Sequence, residues 1–218
     1  MTSEIYLVDL YANKKNSIIH KSSPILKIIF TFTFLFLLIF SKDYLKIFEH
    51  SLFGKISLII LNYSIWVFFF IISYFLIRHD INFFGRLFLI TLIAEIIEKY
   101  LKKQKIWLRP MFKRRSTAPI GLVNAWYYSG SFPSGHTMKM IYFLLFVIST
   151  QVFSIPLFLA VTLPLLTFRV ISGFHYPIDM IGGILFGVIL WFFSKGIIFP
   201  DFFNNFIQPI FNFIFFIK

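Results

Sequence analysis

The chain has 218 residues, 58% of them apolar and only 14% charged, with 33 phenylalanines and a formal net charge of +12. Soluble domains average about 45–50% apolar and about 25% charged residues, so this composition excludes an ordinary water-soluble globule and points to an integral membrane protein. The lack of cysteine excludes disulfide frameworks, thiolate metal sites and cysteine nucleophiles. In so apolar a chain, the basic excess suits anionic or phosphorylated lipid better than nucleic acid.

Residues 1–23 are largely polar, with Asn13, Lys14, Lys15, Asn16 and Lys21, and are expected to lie in the cytoplasm or at the interface. A membrane helix needs about 20 mainly apolar residues. Residues 24–40 form the first such run. Ser41, Lys42 and Asp43 follow it instead of a small-residue cleavage site, so it reads as a retained span. Residues 56–77 form the second, closed by Arg78, His79 and Asp80. The third begins near Leu87 and fades past Glu95 and Glu98 into a lysine-rich stretch.

The apolar run 137–168 is too long for one crossing, at about 48 Å against a hydrocarbon core of about 30 Å. A break is expected at Ser149, Thr150 and Gln151, with Pro156 just inside the next helix, giving spans four and five. Span six is 178–193, opened by Pro177, a favoured first-turn residue. The tail 197–218 mixes Phe and Ile with Pro200, Asp201, Asn204, Asn205, Gln208 and Pro209, which suits an amphipathic interfacial segment. The expected architecture is therefore all-α: one domain over 1–218, with a polytopic six-transmembrane-helix bundle over 24–193.

Polar residues beside membrane spans are costly, so their grouping is informative. Segment 102–110 carries Lys102, Arg109 and Pro110; segment 132–137 carries Pro133, Ser134, Gly135 and His136; segment 168–179 carries Arg169, His175 and Asp179. The span count, made from apolar runs alone, puts all three at one membrane face. Arg forks and a lysine suit the oxygens of a phosphate. Ser134 stands where a helix N-cap is expected, and a helix N-terminus favours anions. His175 and Asp179 are four apart, so a helical start can pair them and fix the imidazole tautomer. His136 is suited to protonating a leaving alkoxide. Taken singly, these features have plainer uses: lysines after a span serve as anchors, and a His–Asp pair can be structural or bind metal. His20, His50 and His79 read as interfacial, and the roles of Glu95 and Glu98 stay open.

Together the three segments resemble the type 2 phosphatidic acid phosphatase family, the lipid phosphate phosphatases. That signature is K-x6-RP, then PSGH, then SR-x5-H-x3-D. Lys102 to Pro110 and Pro133 to His136 match the first two parts, and Arg169, His175 and Asp179 match the third, with Phe168 in place of the usual Ser. The resemblance implies a metal-independent, cofactor-free membrane enzyme that hydrolyses a phosphate monoester or diphosphate of a lipid through a phosphohistidine. His175 would be the nucleophile, Asp179 its orienting partner and His136 the general acid. Lys102, Arg109, Ser134, Gly135 and Arg169 would hold the phosphate.

The same resemblance implies a bacterial inner membrane location with the site facing the periplasm, although Lys and Arg are denser on the site's side than cytoplasmic bias alone would place them. Loop 111–132 is expected to cover the site, with Lys113, Arg114 and Arg115 meeting further anionic groups of the headgroup. Undecaprenyl diphosphate, lipid A 1-phosphate and phosphatidylglycerophosphate are the candidate substrates. A lipid-to-lipid phosphotransferase using the same histidine is the alternative. A lipid or anion transporter fits less well, because a path needs polar groups at mid-membrane depth. The expected partners are the bilayer and a phosphorylated lipid, with neither nucleic acid nor an obligate protein partner.

Overall fold

The computed structural model describes residues 45–49, 51–114 and 123–215, which form helices joined by turns, with no strand among them. In chain order these are α1 (Leu45–Glu49), α2 (Leu52–His79), α3 (Ile81–Lys103), α4 (Pro110–Arg114), α5 (Asn124–Tyr127), α6 (Gly135–Thr150), α7 (Ile155–Ile171), α8 (Pro177–Lys195) and, after a π-helical turn at Phe203–Ile207, α9 (Gln208–Ile214). The polar segment 1–23 and the first expected span, 24–40, lie outside the described residues.

The long helices fall on the other five apolar runs, and local chemistry sets their ends. Ser51 caps α2 by accepting from the Gly54 amide at 2.9 Å. Asp80 closes α2 through its own amide and opens α3 through its carboxylate, which accepts from the Asn82 amide at 2.8 Å. That cap is why α3 begins at Ile81, ahead of the expected Leu87. The break expected near Gln151 is present: α6 stops there with Gln151 in the left-handed region at φ 52, and Ser154 then caps α7 with Pro156 in its first turn. Pro177 opens α8 in the same way.

Two of these helices, α2 and α8, are long and apolar enough to cross a membrane, while α6 and α7, at 16 and 17 residues, are shorter apolar helices. α6 and α8 pack closely, and a Cβ on Gly183 would come within 2.7 Å of the Ser134 carbonyl oxygen. The core gathers Ile72 and Leu76 of α2, Leu87 and Ile90 of α3, and Met138, Tyr142 and Phe143 of α6. Large apolar side chains also point outward, among them Val67, Phe70, Ile181, Leu185 and Phe192. A water-soluble surface would not carry such a belt, whereas a lipid-facing one would.

The segment after α8 folds against the α2–α3 turn. Arg86 donates to the Ile197 carbonyl at 3.0 Å, and Gln208 donates to that of Ile77 at 3.4 Å. Phe84, Phe88, Phe199, Phe203 and Phe211 line an apolar cavity of about 320 Å³ there. Phe203–Ile207 and Gln208–Ile214 are too short to cross a core of about 30 Å.

Candidate active site

The three polar segments meet at the opposite end of α3, where backbone hydrogen bonds join them. The Gly130 amide donates to the Lys102 carbonyl at 3.2 Å and the Ser131 amide to that of Trp107 at 3.0 Å. The Ser134 amide donates to the Asp179 carbonyl at 3.0 Å, and the Met111 amide to that of Gly173 at 2.9 Å. Chain regions 24 to 62 residues apart are thereby held in one register.

His175 is fully buried, and its Nδ1 lies 2.9 Å from the Ser131 carbonyl oxygen. A carbonyl oxygen can only accept, so Nδ1 carries the proton and Nε2 holds the lone pair. Nε2 has no hydrogen-bond partner among the described residues. Burial, followed by the charges of Arg109, Arg169 and Lys102, holds this imidazole well below the ordinary histidine value, so it is neutral near pH 7. A neutral imidazole with its lone pair uncommitted is the state a histidine nucleophile needs.

The structure brings His175 and Asp179 together, as their spacing leads one to expect, but the carboxylate is not the ring's nearest acceptor. Asp179 Oδ2 lies 3.5 Å from Nδ1, and the Ser131 carbonyl is the nearer acceptor. The carboxylate is instead saturated by other donors: Trp107 Nε1 at 2.8 Å, the Tyr176 amide at 2.7 Å and the Ser131 hydroxyl. Asp179 thus acts on His175 largely through Ser131, while also capping the first turn of α8. Sequence reasoning missed Ser131 entirely and gave Trp107 no role. The one signal available was the presence of Trp107 within the first motif.

The other expected residues assemble as follows. Ser134 caps α6, accepting from the Thr137 hydroxyl at 2.8 Å and the Thr137 amide at 3.4 Å. His136 Nε2 lies 3.0 Å from the Asn62 carbonyl oxygen and 3.3 Å from Arg169 Nη1. The shorter contact, to an atom that can only accept, places a proton on Nε2. Arg169 packs over the Phe174 ring at 5.2 Å, and its Nε is buried with no hydrogen-bond partner among the described residues. Phe168, where the signature has Ser, turns into an apolar cluster with Met111 and Phe174. Arg109 is 2% exposed and donates to the Phe174 carbonyl at 2.9 Å and the Ser129 hydroxyl at 3.1 Å. Burial pulls its guanidinium down to about 10, with Glu98 and Asp179 opposing, so it stays charged at neutral pH.

Lys102 pairs with Glu98, whose other oxygen lies 2.6 Å from Lys139; Lys139 is also 2.6 Å from Glu95. Neither acid nor Lys139 had been given a role. An open cleft of about 520 Å³ reaches this group and is lined also by Arg109, Lys99, Lys103, Lys105, Trp126 and Tyr128. Lys113 and Arg114 are not part of that lining: Lys113 lies 6.0 Å from the Tyr176 ring centre, and Arg114 donates to the Ile171 carbonyl at 3.1 Å. Arg115 lies outside the described residues. Among the described residues, the cations lining the cleft are Lys99, Lys102 and Lys103 of α3, which successive turns of one helix present together, with Lys105 and Arg109 just beyond its end.

The fold and site define an all-helical, membrane-associated protein with a buried histidine set among arginines and lysine at one end of its helices. A family model described as the PAP2 superfamily matches residues 83–202, more than half of the chain and all three polar segments, and the chain belongs to that superfamily. Membership places it among phosphatases acting on phosphate esters. No curated protein and no solved structure matches the chain.

Proposed function

We propose that this protein is a membrane lipid phosphatase that removes phosphate from a lipid monoester or diphosphate through a phosphohistidine on His175. The observation that carries this reading is the pairing at His175, with Nδ1 held by a carbonyl and Nε2 unpartnered beside three cations. Nε2 attacks phosphorus, the bond from phosphorus to the lipid oxygen breaks, and His136, entering this step as the imidazolium, gives its Nε2 proton to that oxygen and becomes neutral. Water then attacks the phosphohistidine and gives a proton back to His136 Nε2, the P–N bond breaks, and phosphate leaves as His175 returns to the neutral state. Lys102, Arg109 and Arg169 neutralise the equatorial oxygens, the work a metal ion would otherwise do, and Ser134 and Gly135 offer the N-terminus of α6.

Segment 24–40 and the five long helices would together make six spans, with the site at one membrane face. That face would be the periplasmic side of a bacterial inner membrane. The exposed lysines of the cleft favour a headgroup with more than one anionic group, such as a diphosphate.

The test is a panel of lipid phosphates incubated with purified protein and read by mass spectrometry, with and without chelator. Release of inorganic phosphate by the wild type, unaffected by EDTA, supports the proposal. Near-normal release by a correctly inserted His175→Ala protein overturns the nucleophile assignment. A new phosphorylated lipid in place of free phosphate would mean transfer instead of hydrolysis.

A further inference from the structure

The cleft stops at Glu98, Lys102 and Arg109; His136, Arg169 and His175 do not line it. His175 is fully buried, and its Nε2 is closed off. The Glu98 carboxylate is part of the cleft lining. It packs so tightly on Gly135 that a Cβ there would lie within 2.0 Å of the carboxylate's carbon and both oxygens. Gly135 is the first residue of α6, the helix N-terminus to which the phosphate is assigned. Glu98 also binds Lys102, and its charge reaches Arg109. A carboxylate at a helix N-terminus, ion-paired to a lysine and lining one cleft with an arginine, has the partners a phosphate would take.

We propose that Glu98 occupies the phosphate seat of the empty pocket and competes with the incoming phosphate for Lys102, making it the residue that sets the pocket's anion affinity. This rests on the phosphate-pocket reading above. Lys102 meets no other carboxylate among the described residues, whereas Glu98 keeps Lys139 as a second partner at 2.6 Å. Surrendering Lys102 therefore does not strand Glu98 as an unpaired buried charge. Glu95 holds the far side of Lys139 at 2.6 Å and keeps that ammonium in place during the exchange. Only an anion that outcompetes a carboxylate for Lys102 reaches His175, which favours a doubly charged phosphate over a carboxylate or a neutral headgroup.

The experiment is calorimetric titration of the purified full chain with orthovanadate and with inorganic phosphate, comparing wild type, Glu98→Gln, Glu98→Asp and Glu95→Gln. Glu98→Gln should bind either anion at least about tenfold more tightly, since a like charge leaves the seat. Glu98→Asp keeps the charge for Lys139 but draws the carboxylate back from Gly135, so it should also tighten binding, and it serves if the Gln variant does not fold. Glu95→Gln removes the same charge from outside the seat and should change affinity by less than Glu98→Gln. Unchanged or weaker binding in both Glu98 variants overturns the proposal while leaving the phosphate pocket intact. If neither anion binds the wild type or any variant, the phosphate-pocket reading itself fails, and this inference with it.

Discussion

Two buried polar groups sit side by side at one end of the bundle, and they are satisfied in different ways. Around His175 the links are mainly hydrogen bonds: Trp107, Ser131 and the Tyr176 amide saturate Asp179, and the Ser131 carbonyl fixes the ring. One atom, Nε2, is left over. Around Glu98 the links are ion pairs, with Lys102 and Lys139 both engaged and Glu95 completing the set. A reactive atom must be left uncommitted by its neighbours, whereas a binding cation can be held by a partner it later exchanges. The first arrangement orients a lone pair at some cost in unmet hydrogen bonding; the second keeps buried charges from standing alone.

The largest effect should come from breaking the hydrogen-bonded group at its anion. Asp179→Asn puts an amide donor among donors, and kcat should fall by about 10²–10⁴-fold, the scale seen when an orienting carboxylate is neutralised. Phosphate-release kinetics decide this, and a loss under tenfold would mean that Ser131 orients His175 unaided. Breaking the ion-paired group comes next. Lys139→Met takes Glu95's ion-pair partner and leaves Glu98 with Lys102 alone, and should cost up to about 3–5 kcal/mol of stability, read by thermal unfolding in detergent. An unchanged unfolding temperature would show the network to be dispensable.

Ser131→Ala is a finer probe, because it removes the hydroxyl that reaches Asp179 but keeps the carbonyl that holds His175. Stability should drop by about 1–3 kcal/mol, with a smaller fall in kcat than for Asp179→Asn. The subtlest test is the protonation state of His175. Its folded value lies well below 6.5, so nitrogen NMR of the labelled imidazole at pH 6 should show a neutral ring protonated at Nδ1. An imidazolium at that pH would contradict the arrangement. The linkage has a definite sign: below about 6.5 the unfolded chain takes up a proton that the folded site refuses, so this histidine lowers stability as pH falls.

The helices were largely legible because their signals are local. Apolar runs, Ser154 as a cap, Pro156 and Pro177 in first turns and the break at Gln151 all act within a few residues. The motif residues were legible for the same reason, since Lys102 with Arg109, Ser134 with His136, and His175 with Asp179 are each close in sequence. Ser131 escaped notice because its role lies partly in its backbone carbonyl, which carries no sequence signal. Lys113 and Arg114 were singled out by charge and proximity, and the structure sets them by the Tyr176 ring and the Ile171 carbonyl, outside the lining of the lysine cleft.

The amino-acid sequence by itself determined a membrane-type composition, most ends of the long helices (the start of α3 excepted) and three polar segments at one end of the bundle, because each depends on near neighbours along the chain. Only the tertiary structure decided what those polar groups do to one another. Trp107 reaches Asp179 across 72 positions and Lys139 reaches Glu98 across 41, and helix packing alone sets such distances. That packing transferred the hold on His175 from Asp179 to the Ser131 carbonyl, and it placed Glu98 against Gly135, at the start of the helix assigned to the phosphate.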